Sequence, residues 1–438
     1  MGVMTTGDPA MSQVLEHPAS YYAASANDSH RRPSLNGDEH CDVCIIGAGF
    51  TGLSTGIALA EMGYKVIVLE AARVGYGASG RNGGQIVNSY SRDMDVIERR
   101  HGKQKAAELG ALAFEGGRII RERVEKYRIA CDLKPGNIFA ALTAKQMHEL
   151  EEKKALWERF GHRGLKLIGQ AQIGDYIGSE RYVGALLDDW GGHLHPLNLA
   201  LGEADALESL GGRIFEQSAV VAIEQGDPVR VKCATGTVSA DFLVVAGNAY
   251  LGNLVPKLAE KSLPCGTQVV ATEPLPEAVA RELLPQDNCV EDCNYMLDYY
   301  RLSADRRLLY GGGTVYGARD TDRIEAEIRA NLQKTFPQLT GVRIDYAWTG
   351  NFLLTLSRLP QAGRIGSNIY YSQGCSGHGV TYTHLAGVML AAAIKGQSQR
   401  FDAFATLPHY PFPGGRVFRV PMLTLGAWYY GLRDRLGV

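Results

Sequence analysis

Asp42-Val43-Cys44-Ile45-Ile46-Gly47-Ala48-Gly49-Phe50-Thr51-Gly52 decides the fold. A short β-rich run, 43–46, ends in a glycine-spaced turn, and a helical stretch follows from Thr51 to Met62, stopped by Gly63. Lys65-Val66-Ile67-Val68-Leu69-Glu70 then reads as a second strand. Strand, helix and strand in roughly 30 residues make a βαβ unit. The hexapeptide 47–52 is a complete G-x-G-x-x-G in register with that unit. Gly47 makes the tight turn, Gly49 admits backbone close to a pyrophosphate, and Gly52 lets helix and strand pack closely. The helix start offers free N–H groups and a positive dipole end. Glu70, about 20 residues on, is placed to accept hydrogen bonds from ribose hydroxyls. The spacing therefore predicts a site for a dinucleotide containing adenosine diphosphate.

Outward from this unit, composition narrows the class. The chain has 438 residues and 52 glycines, about 12% against a usual 7%. No Gly-X-Y period accompanies them, so collagen is out, and close backbone approaches to a ligand become the natural use. Lys plus Arg (45) nearly balances Asp plus Glu (47), a net charge of −2 that argues against a nucleic-acid partner. Eight cysteines are too few for a disulfide scaffold. Cys41 and Cys44, three apart on a strand, are expected to face opposite sides and so not to share a metal; no metal site is expected. There is no secretory signal, no apolar run long enough to span a bilayer, and hence a cytoplasmic location is expected.

Along the chain, residues 1–40 read as an arm lying on the body. A helical pattern covers 94–127, with Leu109, Leu112, Ala113, Ile120, Val124 and Tyr127 on one stripe. Strand-like 138–142, a helix at 145–159 and a helix at 197–210 follow. Strands are expected at 213–215, 219–223, 229–232 and 242–246, and antiparallel alternation at 265–316. Helices at 325–335 and 380–395 close the body. A tail piece bearing Met422, Leu425, Trp428, Tyr429 and Leu432 is amphipathic, and packing on the body is preferred for it over a partner or membrane face.

Two further stretches choose the dinucleotide. No second G-x-G-x-x-G follows a strand, so a reductase feeding a flavin from a nicotinamide is not expected; a nicotinamide dehydrogenase and a flavoprotein oxidising an organic donor remain. Gly75 to Gln85, just past the second strand, contains Ala78-Ser79-Gly80-Arg81-Asn82-Gly83-Gly84-Gln85. Its paired glycines allow backbone to lie flat against a planar group, and Arg81 can pair with a phosphate. Gly374-Cys375-Ser376-Gly377-His378-Gly379 opens the last helix. A helix start aimed at the flavin pyrimidine edge stabilises the charge of the reduced ring. Turn-making glycines and a capping His378 are the plainer readings of each stretch alone.

On these residues, with Leu243 to Ala249 and Gln373 to Val380, the sequence resembles the D-amino-acid oxidase-like superfamily of FAD-dependent amine oxidoreductases. Tyr21-Tyr22-Ala23, the 78–85 loop, Asp298 to Asp305 and Pro421-Met422-Leu423 are similar to the γ-glutamylputrescine oxidoreductases within it. The resemblance implies an α/β (α+β overall) fold: a Rossmann-like FAD-binding domain, discontinuous in sequence, and a substrate domain on a mixed or antiparallel sheet. The division expected is 41–130, 196–255 and 345–400 for FAD, 131–195 and 256–344 for substrate, and 401–438 as tail. It implies non-covalent FAD, since Arg81 and Asn82 and the 346–349 stretch offer neither His nor Cys anchor. The cofactor set is Gly47, Ala48, Gly49, Phe50, Thr51, Gly52, Glu70, Ala71, 78–85, Val220, Val221, Ala246, Gly247, Gly374, Ser376, Gly377, His378, Gly379, Val380 and Thr381.

The activity implied is oxidation of an amine C–N bond of a γ-glutamylated polyamine, with peroxide formed if oxygen is the acceptor. Asn294 to Tyr310 carries no lysine of the kind that promotes oxygen reaction in some members, which leaves oxidase and dehydrogenase both open. Candidate catalytic residues are His378, Tyr300, Arg301 and Trp348. Tyr299, Tyr300 and Trp348 can line a dry pocket and hold a cation, and Arg301 can pair with a substrate carboxylate. A cyclic or N-methyl amino acid (pipecolate, sarcosine) as substrate, or a non-catalytic FAD-binding protein, are the alternatives.

Overall fold

The computed structural model describes residues 3–5, 14–28, 30–316, 324–413, 418, 420–422 and 424–425. Its framework is two nine-stranded sheets. The first centres on Glu39–Ile46, which runs parallel to Val66–Leu69 on one side and Thr237–Val245 on the other. Arg213–Phe215 extends the parallel set beyond Val66–Leu69, and Ile369–Gln373 lies parallel to residues 243–245. Strand faces alternate: Val43 and Ile45 enter one core and Cys44 and Ile46 another. Burial on both faces is why the run is almost wholly apolar. Helices Phe50–Glu61, Pro196–Ser209 and Gly379–Ile394 pack together on the first of these cores.

This sheet draws strands from residues 3 to 373, so the Rossmann-like unit is discontinuous in sequence. The second sheet runs Ile344–Thr355, Ser262–Thr272, Leu308–Tyr316, Tyr299–Leu302, Cys289–Asp292, Lys134–Ala141, Gly184–His193 and Gln85–Ile86, with Leu165–Gly169 as the ninth strand beside Gly184–His193. All its neighbours are antiparallel except Cys289–Asp292 beside Lys134–Ala141. The α/β, mixed-sheet expectation stands.

Several local expectations change. The helical stretch 94–127 is two helices, Met94–Gly110 and Glu115–Lys126, and the first is itself kinked at Gly102 (φ +83°). Ile344–Thr355, Gln361–Ile365 and Ile369–Gln373 are strands that the sequence did not announce. Cys41 and Cys44 share one core rather than facing apart. The N–H groups of Asp42 and Val43 both donate to the Lys65 carbonyl, a bulge that shifts the alternation by one. Burial raises both thiols, Cys41 to about 12, so they are protonated packing groups. In the tail, Met422 and Leu425 are exposed (53% and 68%) instead of packed. Trp428, Tyr429 and Leu432 lie outside the described residues.

The described residues among the first forty tie the sheets together. Val3–Thr5 adds antiparallel to Val220–Glu224. Tyr21–Ala24 is a short helix capped by the Ser20 hydroxyl, which accepts from the Ala23 N–H. Tyr21 donates to Asp305 (2.6 Å), and the Tyr22 hydroxyl accepts from Arg301 (3.0 Å). No described helix is long and apolar enough to cross a membrane.

Candidate active site

A cavity of about 660 Å³ runs from the carboxyl ends of the parallel strands to the concave face of the second sheet. Open α/β sheets place ligands at that end. Ile46, Gly47, Gly49, Phe50, Thr51, Glu70, Ala71 and Ala72 line its first part. Gly47 has φ +103°, its N–H donates to Leu69 (2.8 Å), and a Cβ there would press on the Ala246 carbonyl at 3.0 Å. A Cβ on Gly52 would sit 1.9 Å from the Gly47 carbonyl. Only glycine therefore lets the helix start this close to the strand. Gly52 and Ala48 shape the turn without facing the cavity.

Glu70 is held by two backbone donors, Ala48 N–H (2.7 Å) and Ala72 N–H (2.9 Å). Burial nonetheless raises its carboxyl above the usual range. The Ser79 hydroxyl accepts from the Phe50 N–H (2.9 Å), so the 78–85 loop closes directly over the helix start. Asn82 braces that loop: its amide donates to Ala78 and Ser79 (2.9 and 2.8 Å) and its oxygen accepts from Gly84 N–H (2.8 Å). Ala78, Ser79, Asn82, Gly83 and Gln85 face the cavity, whereas Gly80 and Gly84 pack on backbone at Gly75 and Leu194. Arg81 is not turned inward toward a phosphate. Its guanidinium lies against the Tyr76 and Tyr250 rings (5.2 and 5.4 Å) and donates to the Tyr250 hydroxyl.

At the far end, Gly374, Ser376, Gly377, His378, Gly379 and Val380 all border the cavity. Gly374 (φ +72°) donates to Asn248, Ser376 (φ +56°) donates to the Leu353 carbonyl, and Gly377 has φ +110°. Three left-handed residues in four turn the chain sharply enough to aim the helix Gly379–Ile394 at the cavity. Burial lowers the His378 imidazole to about 4, keeping it neutral. Its Nδ1 has no hydrogen-bond partner among the described residues. Thr381 turns away and donates to the Val87 carbonyl (2.8 Å). Ala246, Gly247 and Val220 face the cavity, but Val221 is 40% exposed on the opposite face of its strand.

Period-two alternation corrects the catalytic set. Tyr299 faces the cavity: its ring crosses Gly83 and Gly311, and its hydroxyl pairs with Thr267 (3.0 Å). Tyr300 faces the core behind the sheet, stacked on Tyr310 (5.4 Å) and donating to Tyr182 (3.0 Å). Arg301 returns to the Tyr299 side but lies behind the loop, donating to the Gly83 carbonyl (2.8 Å). Trp348 Nε1 donates to the Arg81 carbonyl (3.1 Å). Arg301 and Trp348 thus brace loop 81–84 and do not line the cavity.

Sequence reasoning missed Asn248, Tyr250, Glu291, Tyr295, Met296, Leu297, Phe352 and Arg358, all of which line the cavity. Glu291 had one signal: it is one of two acids, with Asp292, in a short strand whose other residues are buried. Burial pushes its carboxyl up to about 7, against the pull of Lys153. Arg358 sits in an irregular turn with φ +60° and donates to the Tyr295 hydroxyl (2.8 Å).

A dinucleotide fits this cavity on observed features. Backbone cradles at Gly47, Gly49 and Gly377 leave room where a Cβ would intrude or strain, and an acid sits at the ribose position beyond the second strand. Pockets for ligands of that kind span about 300–1,000 Å³.

Comparisons with known proteins agree. A family model described as FAD dependent oxidoreductase (DAO) matches residues 42–393. The chain is 60% identical over 426 residues to the gamma-glutamylputrescine oxidoreductase of Escherichia coli (strain K12), covering 97% of this chain and 100% of that protein. Among solved structures, glycine oxidase from Geobacillus kaustophilus superposes with a TM-score of 0.73 at 20% identity, covering 85% of this chain and 100% of that one. L-proline dehydrogenase from P. horikoshii gives 0.69 at 20% identity, over 83% and 96%. At such identity the two structures speak for the fold.

Proposed function

The chain belongs to the DAO family of FAD-dependent oxidoreductases, and from that premise we propose that it oxidises the terminal amine of γ-glutamylputrescine or a closely related γ-glutamylated polyamine. The 60% identity to the Escherichia coli oxidoreductase of that name, over the whole of that protein, carries the reading. FAD, held non-covalently, supplies the hydride acceptor when bound. Gly47, Gly49, Phe50 and Thr51 would meet its pyrophosphate at the helix start, and Glu70 its ribose. Ala78, Ser79, Asn82 and Gly83 would run along the ring system, with Gly377 and the start of helix Gly379–Ile394 at its pyrimidine edge.

The chain's own residues do three things. Tyr299, Met296, Leu297 and Phe352 give the amine a dry approach, which a C–H donor to flavin needs. The helix start at Gly379 offers N–H groups where negative charge develops. Arg301 and Trp348 act as positioning residues for loop 81–84. The imine formed from the amine is hydrolysed to aldehyde and ammonia, and oxygen or another acceptor takes up the electrons. In this reading residues 41–130, 196–255 and 345–400 form the FAD-binding domain and 131–195 and 256–344 the substrate domain, with the strands Gln85–Ile86 and Ile344–Thr355 crossing over into the second sheet. A cytoplasmic location is part of the proposal, supported by eight cysteines of which none forms a disulfide.

An anaerobic panel of amines tests it. Rapid bleaching of the bound flavin by γ-glutamylputrescine, slower bleaching by pipecolate and sarcosine, and peroxide release on admitting air are expected. Bleaching by a cyclic or N-methyl amino acid alone, or by no amine, overturns the assignment in favour of those substrates or of a non-catalytic role.

A further inference from the structure

Among the described residues that line the cavity, the carboxylates and guanidinium groups are three: Glu70, Glu291 and Arg358. Glu70 belongs to the dinucleotide end, where two backbone N–H groups already hold it. One acid and one base therefore remain for whatever else the cavity takes. Resting on the substrate reading above and deepening it, we propose that Glu291 and Arg358 are the two poles of the substrate site: Glu291 binds and deprotonates the ammonium to be oxidised, and Arg358 holds the carboxylate of the glutamyl end.

Glu291 sits on Cys289–Asp292, paired with Phe139 on one side and Tyr299 on the other, so its side chain shares the cavity face with Tyr299. No hydrogen bond or ion pair among the described residues reaches its carboxylate. Lys153, from helix Ala144–Arg159, is the nearest cation, and it is engaged by Asp93 at 3.1 Å and by the Phe139 and Trp157 rings. A desolvated carboxylate without a direct partner is costly, and an arriving ammonium relieves that cost. Burial accordingly holds the empty-site carboxyl near 7.

Arg358 is complementary. It makes no ion pair among the described residues, only the Tyr295 hydrogen bond and a stack on that ring at 5.6 Å. Tyr295, Met296 and Leu297 lie on the loop that follows the Glu291 strand, so both poles border one substructure. A positive φ at a long-chain residue is uncommon and concentrates at functional positions. A guanidinium with free donors suits a carboxylate in bidentate fashion.

The proton step balances. A primary ammonium, ordinarily near 10.4, cannot give up a hydride equivalent while its nitrogen is fully protonated. The N–H bond breaks, the Glu291 carboxylate gains O–H, and the nitrogen keeps the electron pair that would become the C=N bond when bound FAD supplied the acceptor for the α-hydride. Because Glu291 must start ionised, kcat/KM rises with pH through about 7. The other titratable groups that act on it are Lys153, Cys289 and Cys293, with Tyr299 directly opposite on the neighbouring strand, and of these only Lys153 is charged there.

The flavin-loaded enzyme tests this with Glu291→Gln, Arg358→Met and Arg358→Lys. Two amines are compared, γ-glutamylputrescine and N-acetylputrescine, which lacks the carboxylate. γ-Glutamylbutylamine, which has the carboxylate but no oxidisable terminal amine, reports binding through the flavin spectrum. Arg358→Met should raise KM for γ-glutamylputrescine and Kd for γ-glutamylbutylamine about tenfold or more, leave N-acetylputrescine within about twofold, and be partly restored by Arg358→Lys. Glu291→Gln should lower kcat/KM about a hundredfold for both amines and erase the rising limb near pH 7, with γ-glutamylbutylamine binding kept. Equal losses on both amines in Arg358→Met, or a retained limb in Glu291→Gln, overturn the proposal. If γ-glutamylputrescine fails to bleach the wild-type flavin, the substrate reading falls, and unchanged γ-glutamylbutylamine binding in Arg358→Met is what would then overturn the anion pole.

Discussion

At the scale of single residues, a one-position difference separates lining from support. Tyr299 and Tyr300 are adjacent aromatics, and composition alone cannot tell which faces the ligand; strand alternation and the glycines opposite do. Gly83 and Gly311 leave the space that the Tyr299 ring fills, whereas Tyr300 fills a core with Tyr310 and Phe336. Tyr300→Phe should therefore cost about 1 kcal/mol of stability through the lost bond to Tyr182, with the flavin-reduction rate unchanged. Stopped-flow reduction and denaturant midpoints measure the two. Gly52→Ala drives a methyl into the Gly47 carbonyl; it should destabilise by about 1–3 kcal/mol and release the flavin, read as the visible-to-280 nm absorbance ratio. The glycine motif was legible because each position has one steric task. Glu291 and Arg358 were not, because a lone acid or base carries no periodicity.

At the scale of elements, the strand–helix–strand unit was legible to within a residue at each end except the start of the first strand, which begins at Glu39, four residues before the apolar run. The strands at 344–373 were hidden by interleaved Thr, Asn, Gln and Gly, whose place in a sheet is decided by neighbours rather than by propensity. The helix Pro196–Ser209 shows how one titratable cap couples two elements. His195 Nδ1 accepts from the Asn198 N–H (3.1 Å), which leaves Nε2 to donate to Ser25 beside the arm helix (3.1 Å). Burial, with Arg301 adding to it, lowers this imidazole from 6.5 to about 3. The unfolded chain binds the proton first, so this contribution is complete above pH 6.5 and declines as pH falls toward 3. The loss per proton is about 1.4 kcal/mol per pH unit. His193, also lowered to about 3, adds to the same window. His195→Asn, which can cap but cannot titrate, should flatten the dependence of the denaturation midpoint between pH 7 and 4.5; an unchanged slope would contradict this account.

At the scale of the whole molecule, the arm is a clasp between the two sheets. Tyr22 is fully buried, edge-on to Trp348 (5.2 Å) and to His195 (4.9 Å), with Arg301 on its hydroxyl. Arg32 reaches Asp205 and Glu208 (2.7 and 2.8 Å) on the far side of the same helix system. Tyr22→Ala should cost about 3–5 kcal/mol and weaken flavin retention, since it loosens both braces of loop 81–84; midpoints measured with and without excess FAD separate the two effects. An arm of this kind leaves little in the sequence beyond two adjacent tyrosines. Its partners are scattered over distant segments.

The same scatter governs how the protein comes into being. Ser54, on the helix that starts at the dinucleotide turn, donates to the backbone of His384, 330 residues later (2.8 Å). The loop 374–379 and the strand before it complete the cradle that the first βαβ unit begins. A ribosome delivers residues at about 5–20 per second, so the two walls of the cavity are made at widely separated moments of synthesis. A cavity walled by both segments can close around a cofactor only after residues 374–379 have emerged.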